Sequence, residues 1–157
     1  MVDPTDQLLA EREIRRRLLD YCRGIDRCDA ALVASAYHAD GTDDHGGFQG
    51  LGHDFARYAT ERLRTHAEAT MHLIGDSIFD WVDEATVDVE TPVLAWHRCR
   101  DEVGPYLERF GGRYFDRFEH RDGAWRIAHR GLTHDWDARE VITPAFTPGR
   151  FVPSPRR

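Results

Sequence analysis

Tyr21, Asp26, His72, His97 and Arg130 are the side chains in this sequence whose types suit proton transfer in an apolar setting. Asp26 stands two residues past Gly24, where the first long helix should end and where unpaired carbonyls make the local field negative. A carboxylate is disfavoured there unless a cation or a hydrogen-bond donor faces it, and His72, His97 and Arg130 are the candidates. Tyr21 is set into the helix's apolar stripe of Ile14, Leu18, Cys22 and Ile25, which carries a phenol inward. A packed aromatic with its hydroxyl at the rim is the plain alternative. His97 ends a row of alternate residues, Val87, Val89, Thr91, Val93 and Ala95, that share one strand face. A core histidine bonded to a backbone carbonyl is the competing reading for it. His72 opens the preceding strand roughly in phase with Ile74 and Ile78, which makes the two imidazoles plausible neighbours. Arg130 is in phase with Ala128 and Leu132, whereas Trp125, Ile127 and His129 take the other face. Both faces are partly apolar, so parity leaves open which of Arg130 and His129 points inside.

Positioning these groups requires helices first and strands afterwards. The opening helix is expected from a cap at Thr5 or Asp6 to about Gly24. Asp29 then caps a short second helix over AALVASAYH, and the polar stretch DGTDDHGG follows as a loop. HDFARYATERLRTHAEA is a third helix, burying Phe55, Tyr58, Ala59 and Leu63. From Thr70 the period becomes strand-like. Four strands are expected, Met71–Trp81, Ala85–Arg100, Tyr106–His120 and Trp125–Trp136, joined by turns at Asp83-Glu84, Gly104-Pro105 and Asp122-Gly123. The last pair favours a type I′ hairpin, and such short links make neighbours antiparallel. Gly111-Gly112 and Pro92 predict bulges or bends, so the sheet should curl. The result is an α+β fold with three N-terminal helices on one concave face of a curved antiparallel sheet.

Composition narrows the function. A chain of 157 residues is one domain large enough to hold a core with a pocket in it. Its formal charge of -7 argues against general nucleic-acid binding, and no apolar run approaches a membrane span. The N-terminus lacks the basic-then-apolar layout of a signal peptide, which reads as cytoplasmic. There is no lysine, which excludes side-chain Schiff-base catalysis and any Gly-Lys-Ser/Thr phosphate loop. Cys22, Cys28 and Cys99 form no CxxC pair and are expected reduced. His38, Asp40, Asp43, Asp44 and His45 crowd one segment, but their spacing matches no recognised metal cage, and a polar loop explains them.

The segments IRRRLLDYCRGID, DAALVASAYHADG, GLGHDFARYATERL, ATMHLIGD and RDGAWRIAHRGL together resemble the SnoaL-like branch of the nuclear transport factor 2-like superfamily. The resemblance covers about Leu8 to Trp136, dividing the chain into a domain at 1–138 and a Pro-rich tail or flap at 139–157. It implies a cone-shaped domain enclosing an apolar pocket. It also implies that Asp26 and His72 are an Asp-His pair of the scytalone dehydratase, bile-acid dehydratase and hexachlorocyclohexane dehydrochlorinase type. Tyr21, His97 and Arg130 fall where different members carry a phenol, a second histidine and an arginine. The dehydrochlorinase has Lys at the place of Tyr21, so the leaving group stays open.

The chemistry follows on physical grounds. Taking a proton from carbon beside a carbonyl needs a base near neutral pKa, and a histidine oriented by a buried carboxylate is one. Tyr21, His97 or Arg130 could then donate to the substrate oxygen as charge builds on it. The expectation is a cofactor-independent lyase or isomerase, most simply dehydratase-like, acting on an apolar small molecule with no metal or organic cofactor. A homo-oligomer, dimer or trimer, is expected as well. The alternatives are a non-catalytic binder of hydrophobic ligands and an accessory subunit resembling the dioxygenase β chain.

Overall fold

The computed structural model describes residues 3–146. Helix α1, Pro4–Asp26, starts where Asp3 accepts from the Thr5 amide at 2.7 Å and Pro4 supplies a preset φ. Its stripe of Ala10, Ile14, Leu18, Tyr21, Cys22 and Ile25 is buried. Asp29 caps α2 by accepting from the Leu32 amide at 3.1 Å, as its residue type predicts, but α2 spans only Ala30–Ala34. The expected longer helix stops because Tyr37 already begins strand β1, Tyr37–Asp44. The polar stretch read as a loop is therefore mostly strand, followed by a short β2, Gln49–Leu51. Helix α3, Gly52–His66, comes after these two strands rather than before the whole sheet, and buries Phe55, Ala56, Ala59 and Leu63, whereas Tyr58, expected on that face, is 41% exposed and stacks on Phe48.

The remaining strands are β3 (Ala67–Ile74), β4 (Ile78–Trp81), β5 (Thr86–Arg100), β6 (Pro105–Arg121) and β7 (Ala124–Val141). The sheet order is β2-β1-β7-β6-β5-β3, with β4 also on β5. All pairings are antiparallel except β1 with β7, which is parallel, so the sheet is mixed at that edge. The run expected as one strand, Met71–Trp81, is β3 and β4 in succession. Pro92 explains the break: β3 leaves β5 at Val93 and β4 joins it at Glu90, so the residue without an N–H sits between two partners. Pairing of β5 with β6 runs through Pro92 unbroken.

At Gly111-Gly112 the register with β7 slips, the expected bulge. A Cβ on Gly111 would lie 2.3 Å from the Trp136 ring, so glycine is needed for that crossing. Asp122 and Gly123 both have positive φ, 51° and 76°, as a type I′ turn requires. The segment 139–157 starts inside β7, and its residues from 147 onward lie outside the described residues. Among the described residues no helix is long and apolar enough to cross a membrane. The core lies between α1, α3 and the facing side of the sheet, where Val87, Val89, Val93, Tyr114, Phe118 and Ile127 are buried.

Candidate active site

Asp26, the last residue of α1, meets three donors from the neighbouring strand β3. One oxygen accepts from the His72 backbone amide at 3.0 Å; the other bonds His72 Nδ1 at 2.7 Å and the Thr70 hydroxyl at 3.3 Å. The unfavourable field at a helix C-terminus is thereby answered, and of the three candidate partners it is His72 that answers it. The bond fixes the imidazole with Nδ1 toward the carboxylate and leaves Nε2 for other work.

His72 lines a cavity of about 700 Å³ between α1, α3 and the sheet. Ile25, Phe48, Phe55, Leu63, Val93 and Phe110 give it an apolar wall. Tyr21, His45, His97, Glu108 and Tyr114 supply polar atoms. His97 lies on β5 with its ring centroid 5.8 Å from that of His72. Its Nε2 is buried without a hydrogen-bond partner among the described residues, and its Nδ1 is 3.8 Å from Glu108. Burial, then the neighbouring His72, push the His97 pKa below the usual histidine value, which favours a neutral ring.

Tyr21 also lines the cavity, stacked on Phe55 and edge-on to Tyr114. Burial pushes its pKa far up, with Arg130 pulling the other way, so the group is a neutral phenol able to donate. Arg130 points inward, and His129 points out to bond the Thr42 hydroxyl at 2.8 Å. The strand parity expected for Ile127 and Arg130 is broken by a register shift opposite Arg117/Phe118, which brings both to the same buried side. Arg130 does not itself line the cavity. Its guanidinium is fully buried, forks onto Asp116 with two bonds of 2.6 Å, and lies 4.1 Å from the Tyr21 ring centre and 3.9 Å from that of Tyr114. It supports Tyr21 from behind.

The crowded segment after α2 disperses. His38 bonds the Glu119 carbonyl, Asp40 accepts from Arg121, and Asp44 accepts from Gly46 and Gln49. Asp43 and His45 turn inward instead: Asp43 Oδ1 bonds His45 Nδ1 at 2.5 Å, and its other oxygen accepts from the Tyr37 hydroxyl. His45 stacks on Phe55 at 4.2 Å and its Nε2 is 3.4 Å from the Tyr21 hydroxyl. Reading this stretch as a loop missed both residues. The available signal was the alternation Gly41, Asp43, His45, a strand period written in small and polar residues. Among the described residues, His66, Cys99 and Glu108 bring ligand atoms within 4.8 Å of one another, spacing that would suit a metal, although Glu108 already bonds His66 at 3.2 Å.

The model of the SnoaL-like domain family matches residues 6–131. No curated protein matches the chain significantly. Among solved structures, a candidate scytalone dehydratase from Novosphingobium aromaticivorans is 24% identical with a TM-score of 0.76, over 96% of this chain and 100% of that one. A type 2 hexachlorocyclohexane dehydrochlorinase is 18% identical with a TM-score of 0.81, over 95% and 100%. A protein of unknown function from Mycobacterium tuberculosis is 27% identical with a TM-score of 0.70, over 85% and 76%. What these share with the present chain is the cone-shaped α+β layout of the nuclear transport factor 2-like fold.

Proposed function

The chain belongs to the SnoaL-like domain family, and from that premise we propose that it is a cofactor-independent lyase or isomerase, dehydratase-like, acting on an apolar carbonyl compound. The observation that carries this reading is a histidine held through Nδ1 by a carboxylate at 2.7 Å while its ring lines a cavity of about 700 Å³. The cavity is of the size of small-molecule sites. His72 Nε2 takes the proton beside the substrate carbonyl, and Asp26 holds the tautomer and stabilises the imidazolium that forms. Charge then builds on the carbonyl oxygen. The neutral phenol of Tyr21 and the Nε2–H tautomer of a neutral His97 are the donors assigned to it inside the apolar wall. Arg130 acts through Tyr21, whose ring it braces, rather than on substrate.

Exchange of substrate hydrogen for deuterium tests the step without knowledge of the product. Apolar ketones incubated with the protein in heavy water, followed by proton NMR, should lose the signal beside the carbonyl. His72→Ala and Asp26→Asn should each slow this by about 10²–10⁴-fold while the circular dichroism spectrum is retained. Exchange at the parent rate in either variant would remove the mechanism. Ketones that bind and return unexchanged would make the protein a binder of hydrophobic ligands.

A further inference from the structure

A second imidazole in the cavity is wired like the first. His45 lines the same space, and its Nδ1 bonds a carboxylate that is itself withdrawn from water: the Asp43 side chain is 0% exposed, against 17% for His45. The Tyr37 hydroxyl donates to the other Asp43 oxygen, so Asp43 is held on both sides. Phe55 fixes the plane of the His45 ring by stacking on it at 4.2 Å. With Nδ1 committed, Nε2 is the reactive nitrogen, and it faces the Tyr21 hydroxyl at 3.4 Å. The buried Asp43 carboxylate has a hydrogen-bond partner on each oxygen, which holds the His45 ring with Nδ1 toward it.

The two pairs come from opposite ends of the sheet. His45 follows β1, His72 is on β3, and β7, β6 and β5 lie between. Both carboxylate-backed imidazoles line the one cavity.

We propose that His45, oriented by Asp43 and working with the Tyr21 hydroxyl, is a second proton-transfer station that acts as general acid on the leaving group. The inference rests on the proton abstraction proposed above for His72. The balance is complete without an oxidant or co-reactant. His72 Nε2 takes the proton from the carbon beside the carbonyl, and the electron pair moves to the carbonyl oxygen. On its return the pair forms the carbon–carbon double bond while the bond from the next carbon to its hydroxyl oxygen breaks. That oxygen keeps the bonding pair and takes a proton from His45 Nε2–H, directly or through the Tyr21 hydroxyl, and leaves as water. One proton is taken up at His72 and one given up at His45, so exchange with solvent resets both.

Leaving groups of different need distinguish this station from the first. Hydroxide is a far poorer leaving group than chloride, so a general acid speeds loss of the hydroxyl much more than loss of chloride. The probes are the β-hydroxy ketone made from benzaldehyde and acetone and the same ketone carrying chlorine in place of hydroxyl; both give one conjugated enone, followed by its ultraviolet absorbance. In His45→Gln the ratio of kcat/KM for the hydroxy ketone to that for the chloro ketone should fall about 10²-fold. His72→Ala should lower both rates alike. Asp43→Asn, acting only through the ring, should lower kcat for the hydroxy ketone without raising KM. A ratio in His45→Gln within twofold of the parent would overturn the proposal, as would a parent protein that expels chloride but not water. If the parent yields no enone from either probe yet still exchanges deuterium through His72, the second station falls and the first stands; loss of both falls on the underlying reading.

Discussion

Replacing Arg130 by Met would keep a long, unbranched side chain between Tyr21 and Tyr114 and strand a carboxylate. Both side chains of the Arg130–Asp116 pair are 0% exposed, and the guanidinium supplies two bonds of 2.6 Å to Asp116. Breaking one side of a buried pair costs about 3–5 kcal/mol, because the remaining charge has neither water nor a partner. At about 2–4 °C per kcal/mol for a domain of this size, Tm should drop by about 6–20 °C. The loss should also depend on pH in a defined sense. Burial pushes the Asp116 pKa up and Arg130 is the main group pulling it down; from β1 and its turn, Asp43 adds to the rise and His45 opposes it. Without Arg130 the folded-state pKa lies further above the unfolded value of about 3.9, so the folded protein holds a proton that the unfolded chain releases. Stability of the variant then falls with rising pH, by about 1.4 kcal/mol per unit, until the folded pKa is passed. Urea unfolding of parent and variant, followed by tryptophan fluorescence, should give a small gap near pH 4 that widens toward neutrality. The double replacement Arg130→Met with Asp116→Leu should recover most of the loss. A gap of equal size at acid and neutral pH, or a double variant as unstable as the single one, would refute the argument.

Two predictions concern other parts of the molecule. Gly52→Ala would place a Cβ 2.2 Å from the Tyr37 ring, so the ring must move; about 1–3 kcal/mol of stability should be lost in thermal unfolding, and the Tyr37 grip on Asp43 weakened with it. On the sheet face away from the helices, Met71, Leu73, Phe115 and Trp136 are each more than 40% exposed, and a homodimer or trimer is expected to cover them. Sedimentation equilibrium should show that assembly and its dissociation in Leu73→Glu, and a monomeric parent would remove the expectation.

The sequence was most readable where one period ran without interruption. The α1 stripe and the alternation along β5 each identify their buried side because a single run of apolar residues faces a single core, and the α3 face does so except at Tyr58. Asp26 was legible from local electrostatics alone, since a carboxylate at a helix C-terminus has to find donors elsewhere. Two features were out of reach for opposite reasons. β1 is polar along most of its length, so its strand period is carried by Gly41 and Asp43, and a buried aspartate resembles a loop aspartate until Tyr37 and His45 are seen around it. Arg130 was undecidable because a register shift in the β6–β7 pairing reverses parity just before it, and such a shift depends on the partner strand rather than on the strand's own residues. The fork onto Asp116 is likewise a cross-strand pair that no local pattern announces.

The triple grip of Asp26 on β3 joins positions 46 residues apart in the chain, and one of its three bonds is to main chain rather than side chain. The His72 ring therefore takes this orientation only once the C-terminal end of the opening helix has docked on β3. A polypeptide still being synthesised, or one whose first helix has peeled away, lacks the carboxylate that holds Nδ1 in place. Under the proposed mechanism, competence and completeness of folding would be the same event, and turnover would serve as a clock for the last step of assembly.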